Sequence, residues 1–166
     1  NVTVQLNGSG VATTSATAVN NGSSDNCAIA SMTLIPTSFN CGNFGPNNAV
    51  LTVTDVNGNT STCSATVTVQ DNVAPIALCH NVTVQLNASG NGTATATAAN
   101  NGSSDNCGIA SMTLNQTAFT CTNVGANPAV LTVTGIHGNS STCSLTVTVQ
   151  DNIAPNAICQ NVTVQL

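Results

Sequence analysis

The chain has 166 residues, five acidic side chains, no lysine or arginine, and a formal net charge of −5 at pH 7. A chain without a cation has nothing with which to grip phosphate, which argues against nucleic-acid binding and a basic membrane-surface role. No apolar run approaches the roughly 18 residues that a membrane-spanning helix needs.

Taken in chain order, the elements that the sequence predicts are strands. "NVTVQL" opens the chain with Val2, Val4 and Leu6 on one face, the period of two that marks a half-buried strand. "ASMTL" (Ala30–Leu34) gives a further short strand. In "AVLTVT" (Ala49–Thr54) Leu51 and Val53 alternate with threonines, and in "SATVTVQ" (Ser64–Gln70) Ala65, Val67 and Val69 alternate with Thr66, Thr68 and Gln70. Asn57-Gly58 between these two runs is a hairpin signal. No segment carries a capped helical period. Six or seven short strands in this length predict a small β-sandwich, with Phe39, Phe44 and Phe119 as the core aromatics.

After the hairpin, "QDNVAPIALCH" (Gln70–His80) ends a strand at Asp-Asn and turns at Pro75, and the pattern begins again at Asn81. Residues 1–80 laid over 81–160 without a gap agree at 56 positions. Such self-similarity is the mark of an array of like units. A first unit over 1–72 lacks its linker, a second and complete one covers 73–152, and 153–166 is the linker and first strand of a third. The chain reads as a window on a longer polypeptide, with Val162, Val164 and Leu166 expected to be buried, either by a third unit in the same chain or by addition to a separate subunit.

"DNCGIASMTL" (Asp105–Leu114), "FTCTNVGANPAVLTVTGIHGNSSTCSLTVTVQDNIAP" (Phe119–Pro155) and their counterparts in the first unit resemble hyalin-type (HYR) repeats of bacterial surface and secreted proteins. The resemblance covers essentially the whole chain. It implies an all-β fold of tandem immunoglobulin-like β-sandwich repeats of 80 residues, used outside the cell for adhesion or as spacers. Asp55 in the first hairpin is replaced by Gly135 in the second, so no role of that acid is needed in both units.

Eight cysteines recur at the same offset: Cys27, Cys41, Cys63 and Cys79, then Cys107, Cys121, Cys143 and Cys159. Four per unit predicts two disulfides per unit in an oxidising compartment. The spacings lack the close Cys-x-x-Cys pairs of structural zinc sites. Four cysteines permit three pairings; sandwich topology favours Cys107–Cys143 with Cys27–Cys63, leaving Cys79–Cys121.

Eleven Asn-x-Ser/Thr triplets are present, and those at Asn21, Asn59, Asn101 and Asn139 fall in expected loops or turns of both units, where a glycan has room. Asp71 and Asp151 at the unit boundary, with Asp25 and Asp105 in a preceding loop, are candidate calcium ligands, although Asp-Asn also serves turns locally. No other cofactor is expected. Neither histidine recurs, since Gln160 stands opposite His80 and Asn57 opposite His137; no acid, base and nucleophile arrangement survives the comparison, and no enzyme is expected. The expected function is an extracellular structural fibre or stalk whose partners are copies of itself or adjacent repeats. The alternative is a cell-surface adhesin that binds glycan or a partner surface directly, although the Tyr, Trp and Arg on which binding surfaces draw are absent.

Overall fold

A computed structural model describes residues 1–165. The β-branched alternation of the sequence becomes strands of the expected kind. In the first half these are β1 (Val2–Gln5), β2 (Val11–Thr13), β3 (Ile29–Ile35), β4 (Ser38–Asn40), β5 (Gly45–Asp55) and β6 (Thr60–Gln70), with a one-turn helix, α1 (Ala16–Val19), between β2 and β3. The second half repeats the succession as β7 (Val82–Gln85), β8 (Asn91–Thr93), α2 (Ala96–Ala99), β9 (Ile109–Leu114), β10 (Ala118–Thr120), β11 (Gly125–Gly135) and β12 (Ser140–Gln150). We refer to the two halves as units.

Each unit has two sheets. In the first, a four-stranded sheet runs β1-β6-β5-β3 and a two-stranded one pairs β2 with β4; the second unit has β7-β12-β11-β9 and β8 with β10. The pairings β1 with β6 and β7 with β12 are parallel, and the rest are antiparallel. The long hairpins pair Thr54 with Thr60 and Thr134 with Ser140 next to their turns. Gly58 and Gly138 take φ of 88° and 91° there, a left-handed conformation that favours glycine.

Both faces of the alternation are placed as the pattern requires. Leu51, Val67 and Val69 of the large sheet meet Ala12 and Phe39 of the small one, and the same packing recurs around Leu131, Val147, Val149, Ala94 and Phe119. Two cores of this size, each with one phenylalanine, bury little area for a domain, so covalent cross-links matter to their stability.

Three expectations are corrected. Short helices do occur: Ser15 and Thr95 cap α1 and α2 by accepting the N–H of Ala18 and Ala98. Phe44 is no core residue, being 49% exposed just after the turn that ends at Asn43. Val162 and Val164 are 82% and 80% exposed and Asn161–Gln165 joins no sheet; the equivalent edges of β6 and β12 are already held by β1 and β7. Leu166 lies outside the described residues.

Candidate functional site

The chemistry of this chain gathers where the two units meet. Cys41 lies in the short turn after β4, and Cys107 in the loop before β9, yet their sulfurs are bonded at 2.04 Å with Cα atoms 5.4 Å apart. Cys107 belongs to the second unit by sequence but packs against the core of the first. Beside it, the Asn106 amide nitrogen donates to the carbonyl of Asn7 and to Asp71 Oδ1, each at 3.1 Å. Asp71, 6% exposed, also accepts the N–H of Val73 at 3.2 Å. The ring of Phe44 stacks on that of His137, in the second hairpin, with centroids 4.1 Å apart and planes 11° from parallel. One bridge, one buried amide–carboxylate pair and one aromatic stack thus join residues that are far apart in sequence.

The segment between the units is part of the second one. Ile76 and Ser104 exchange backbone hydrogen bonds of 2.7 and 3.0 Å, and the N–H of His80 donates to Ala99. The N–H of Leu78 donates to Ser103 Oγ, which donates in turn to the Leu78 carbonyl. Pro75 is buried, and Ala77 and Cys79 pack on the second core. The Asn139 amide donates to the Val73 carbonyl and the Ser141 hydroxyl to that of Pro75. Cys79 closes this segment onto β12 through a disulfide to Cys143.

The favoured pairing of cysteines is therefore overturned. Cys107 bonds Cys41 and Cys143 bonds Cys79, rather than bonding each other. The reason is direction: Cys107 faces out of its own unit toward the first, whereas Cys143 lies within β12 opposite Leu131 and beneath the inter-unit segment. Cys27, Cys63, Cys121 and Cys159 are free and exposed, so neither Cys27–Cys63 nor Cys79–Cys121 forms.

The candidate calcium ligands serve as local acceptors. Asp25 accepts the N–H groups of Cys27 and Ala28, Asp105 those of Cys107 and Gly108, and Asp151 that of Ile153. A carboxylate oxygen of Asp71, the Cys107 sulfur and a His137 ring nitrogen lie within 4.8 Å of one another. That sulfur is committed to Cys41; among the described residues, Asp71 Oδ2, Asp105 Oδ1, Asn106 Oδ1 and Asn139 Oδ1 are buried without a hydrogen-bond partner, and side-chain oxygens are the donors that calcium takes.

Asn21 and Asn101 are exposed. Asn59 donates its amide to Asp55 Oδ2 at 2.7 Å, and Asp55 Oδ1 accepts the N–H of Asn57 and of Asn59, both at 2.8 Å. These contacts, the side-chain amide of Asn59 foremost, hold the Asp55 carboxyl below the usual carboxylate range. Asn139, half-buried against Val73, offers a glycan much less room.

No protein-family model and no curated protein matches the chain. Among solved structures it is similar to the EC1-2 segment of human mucin-like protocadherin, at 13% identity and a TM-score of 0.35 over 77% of this chain and 80% of that one. It is also similar to extracellular cadherin domains 1–4 of protocadherin gamma B7, at 11% identity and a TM-score of 0.33 over 75% of this chain, spanning 42% of that chain's length. A three-Ig segment of titin gives 12% identity and a TM-score of 0.31, covering 91% of this chain and 63% of that one. Similarity at this level assigns neither a family nor a function.

Proposed function

We propose that the chain is a segment of an extracellular structural fibre or stalk, built from immunoglobulin-like units of the hyalin-repeat type joined end to end. The observation that carries this reading is the Cys41–Cys107 bridge, which ties one unit to the next beside the connecting segment. An isolated binding domain gains nothing from a covalent clamp on its neighbour, whereas a fibre gains resistance to bending and to proteolysis at the one place where its backbone would otherwise be a single strand. The parallel pairing of first and last strands around an antiparallel sheet supports the immunoglobulin-like part of the reading. Disulfides persist outside the reducing cytosol, and a chain with no lysine or arginine offers trypsin-like proteases no cleavage site. Glycans on Asn21 and Asn101 would supply solubility that the sparse charge does not.

The test is limited digestion by a broad-specificity protease before and after reduction. The expected result is that the oxidised chain survives as one piece, while the reduced chain is cut first between Asp71 and Ile76. Equal cleavage rates in the two states would overturn the role given to the bridges.

A further inference from the structure

The junction between the units gathers acceptor atoms that no donor among the described residues satisfies: Asp71 Oδ2, Asp105 Oδ1, Asn106 Oδ1 and Asn139 Oδ1. Buried polar atoms are nearly always paired, so four unpaired oxygens at one junction call for a shared partner. Asp71 is the sharpest case. It is 6% exposed, and its Oδ1 accepts from Val73 and from the Asn106 amide, while Oδ2 accepts from nothing. A carboxylate so far out of water is costly without a counter-charge. The chain has no lysine or arginine to supply one. The ring of His137 lies beside Asp71, yet its Nε2 is itself buried without a partner.

Local contacts draw the four residues together from three places in the chain. The Asn106 amide nitrogen is 3.1 Å from Asp71 Oδ1, which sets the amide beside that carboxylate. Val73 donates its N–H to Asp71 and accepts the Asn139 amide on its carbonyl, which ties Asn139 to the same turn. Asp105 and Asn139 converge at Gly135, where a methyl group would meet Asn139 Oδ1 and stand 3.2 Å from Asp105 Oδ1. Only a residue without a side chain leaves that point clear. Asp105 and Asn106 also line, with Val73, Ala74 and Ile76, a cavity of about 200 Å³, room for an ion and its waters. The remaining polar atoms of these side chains are already spent: Asp105 Oδ2 accepts from Cys107 and Gly108, and the amide nitrogens of Asn106 and Asn139 donate to Asn7, Asp71 and Val73. Each side chain is thus held in place with one oxygen free.

We propose that this junction binds a calcium ion through Asp71, Asp105, Asn106 and Asn139. Two carboxylates balance the two charges of the ion, two amide oxygens add neutral donors, and water completes the six to eight oxygens that calcium takes. Zinc prefers nitrogen and sulfur, and the Cys107 sulfur is bonded to Cys41. Magnesium demands a near-octahedral shell and gives up its waters reluctantly, which suits donors fixed from three separate segments poorly. Asp71 follows β6 of the first unit, whereas Asp105, Asn106 and Asn139 belong to the second. The ion therefore joins the units at the joint that Cys41–Cys107 also spans. Asp25, Asn26 and Asn59 repeat three of the donors 80 residues earlier, and Asp151 repeats Asp71 80 residues later, so the sequence carries the set once per period. The site adds a ligand to the junction of the fibre reading without depending on that reading, which stands on the disulfide.

The experiment titrates calcium chloride into the chelator-treated chain by calorimetry, with magnesium chloride in parallel, and follows thermal unfolding with and without each salt. Calcium is expected to bind with a Kd of about 10⁻⁴–10⁻³ M, the range of extracellular modules. At about 10 mM it should then raise the folding equilibrium constant roughly ten- to a hundredfold, and magnesium should have less than about a tenth of that effect. Asp71→Asn, which removes one of the two ligand charges, is expected to weaken binding by about tenfold or more. Gly135→Ala, which sets a methyl group against the oxygens of Asp105 and Asn139, should weaken it as well; the first unit carries Asp55 at that place, so the fold accepts a side chain there. Asp55→Asn removes the same charge from an exposed hairpin and should leave binding unchanged. No calcium binding, an equal effect of magnesium, or an equal loss from Asp55→Asn would overturn the site. Non-reducing peptide mapping of the same sample separates the two readings. If Cys41–Cys107 is present and calcium does not bind, the site fails and the fibre reading stands; if calcium binds and that bridge is absent, the site stands and the fibre reading fails.

Discussion

Cys41 and Cys107 are bonded at 2.04 Å although 66 residues separate them and they belong to different units. The bond holds Cys107 against the core of the first unit. A loop of this length gives a bridge worth about 4 kcal/mol in the chain-entropy account. Cys107→Ser is expected to lower stability by an amount of that order and to separate the unfolding of the two units, so that denaturant titration shows two transitions where the native chain shows one. A single unshifted transition would exclude a mechanical coupling through this bond.

Phe44 and His137 should act as a pair. Their stack joins the turn after β4 to the second hairpin, and stacked rings contribute about 0.5–1.5 kcal/mol beyond the area they bury. In a double-mutant cycle, Phe44→Ala and His137→Ala are expected to be non-additive by that amount. Additive losses would mean that the rings merely lie side by side.

Asn106 offers a more sensitive probe of the same junction. Its amide satisfies both the Asn7 carbonyl and buried Asp71, and removal of one partner from a buried polar group costs about 1–3 kcal/mol. Asn106→Ala is expected to fall in that range. Asn106→Asp should cost more at neutral pH, because two carboxylates then face each other. An aspartate variant no less stable than the alanine one would refute the placement of these groups.

The strands were legible because their signal is local. Leu51 and Val53, or Val67 and Val69, announce one face by alternation alone, and Asn57-Gly58 announces the turn. A four-residue helix such as Ala16–Val19 is too short to show a 3.6-residue period, and only its cap Ser15 hints at it. The cysteine pairing depends on which way Cys107 faces, and that is decided by the approach of two units, which no spacing within one unit encodes. Phe44 misled for the same reason, since an aromatic that serves a junction looks in sequence like one that serves a core. The inward alternation of Val73, Pro75, Ala77 and Cys79 is readable in the sequence, but Pro75 marks the segment as a linker and masks its pairing with Ser104.

Asp55 makes the first hairpin acid-sensitive in a way that the second, with Gly135 at that place, is not. Because its folded pKa is lowered, the stabilisation is present above the ordinary carboxylate pKa of about 4 and is lost as pH falls through the folded value. Melting followed from pH 7 to pH 2 should show a steeper decline below about pH 4 for the native chain than for Asp55→Asn. Identical acid profiles would show that the three hydrogen bonds from Asn57 and Asn59 do not favour the ionised form.

Glycan occupancy should distinguish otherwise identical triplets by what lies over them. Expressed in a secretory host, the chain is expected to carry sugar at Asn21 and Asn101, which are exposed, and none at Asn139, whose amide nitrogen is held against the Val73 carbonyl. Sugar found on Asn139 of the folded, secreted chain would overturn the placement of its amide against Val73.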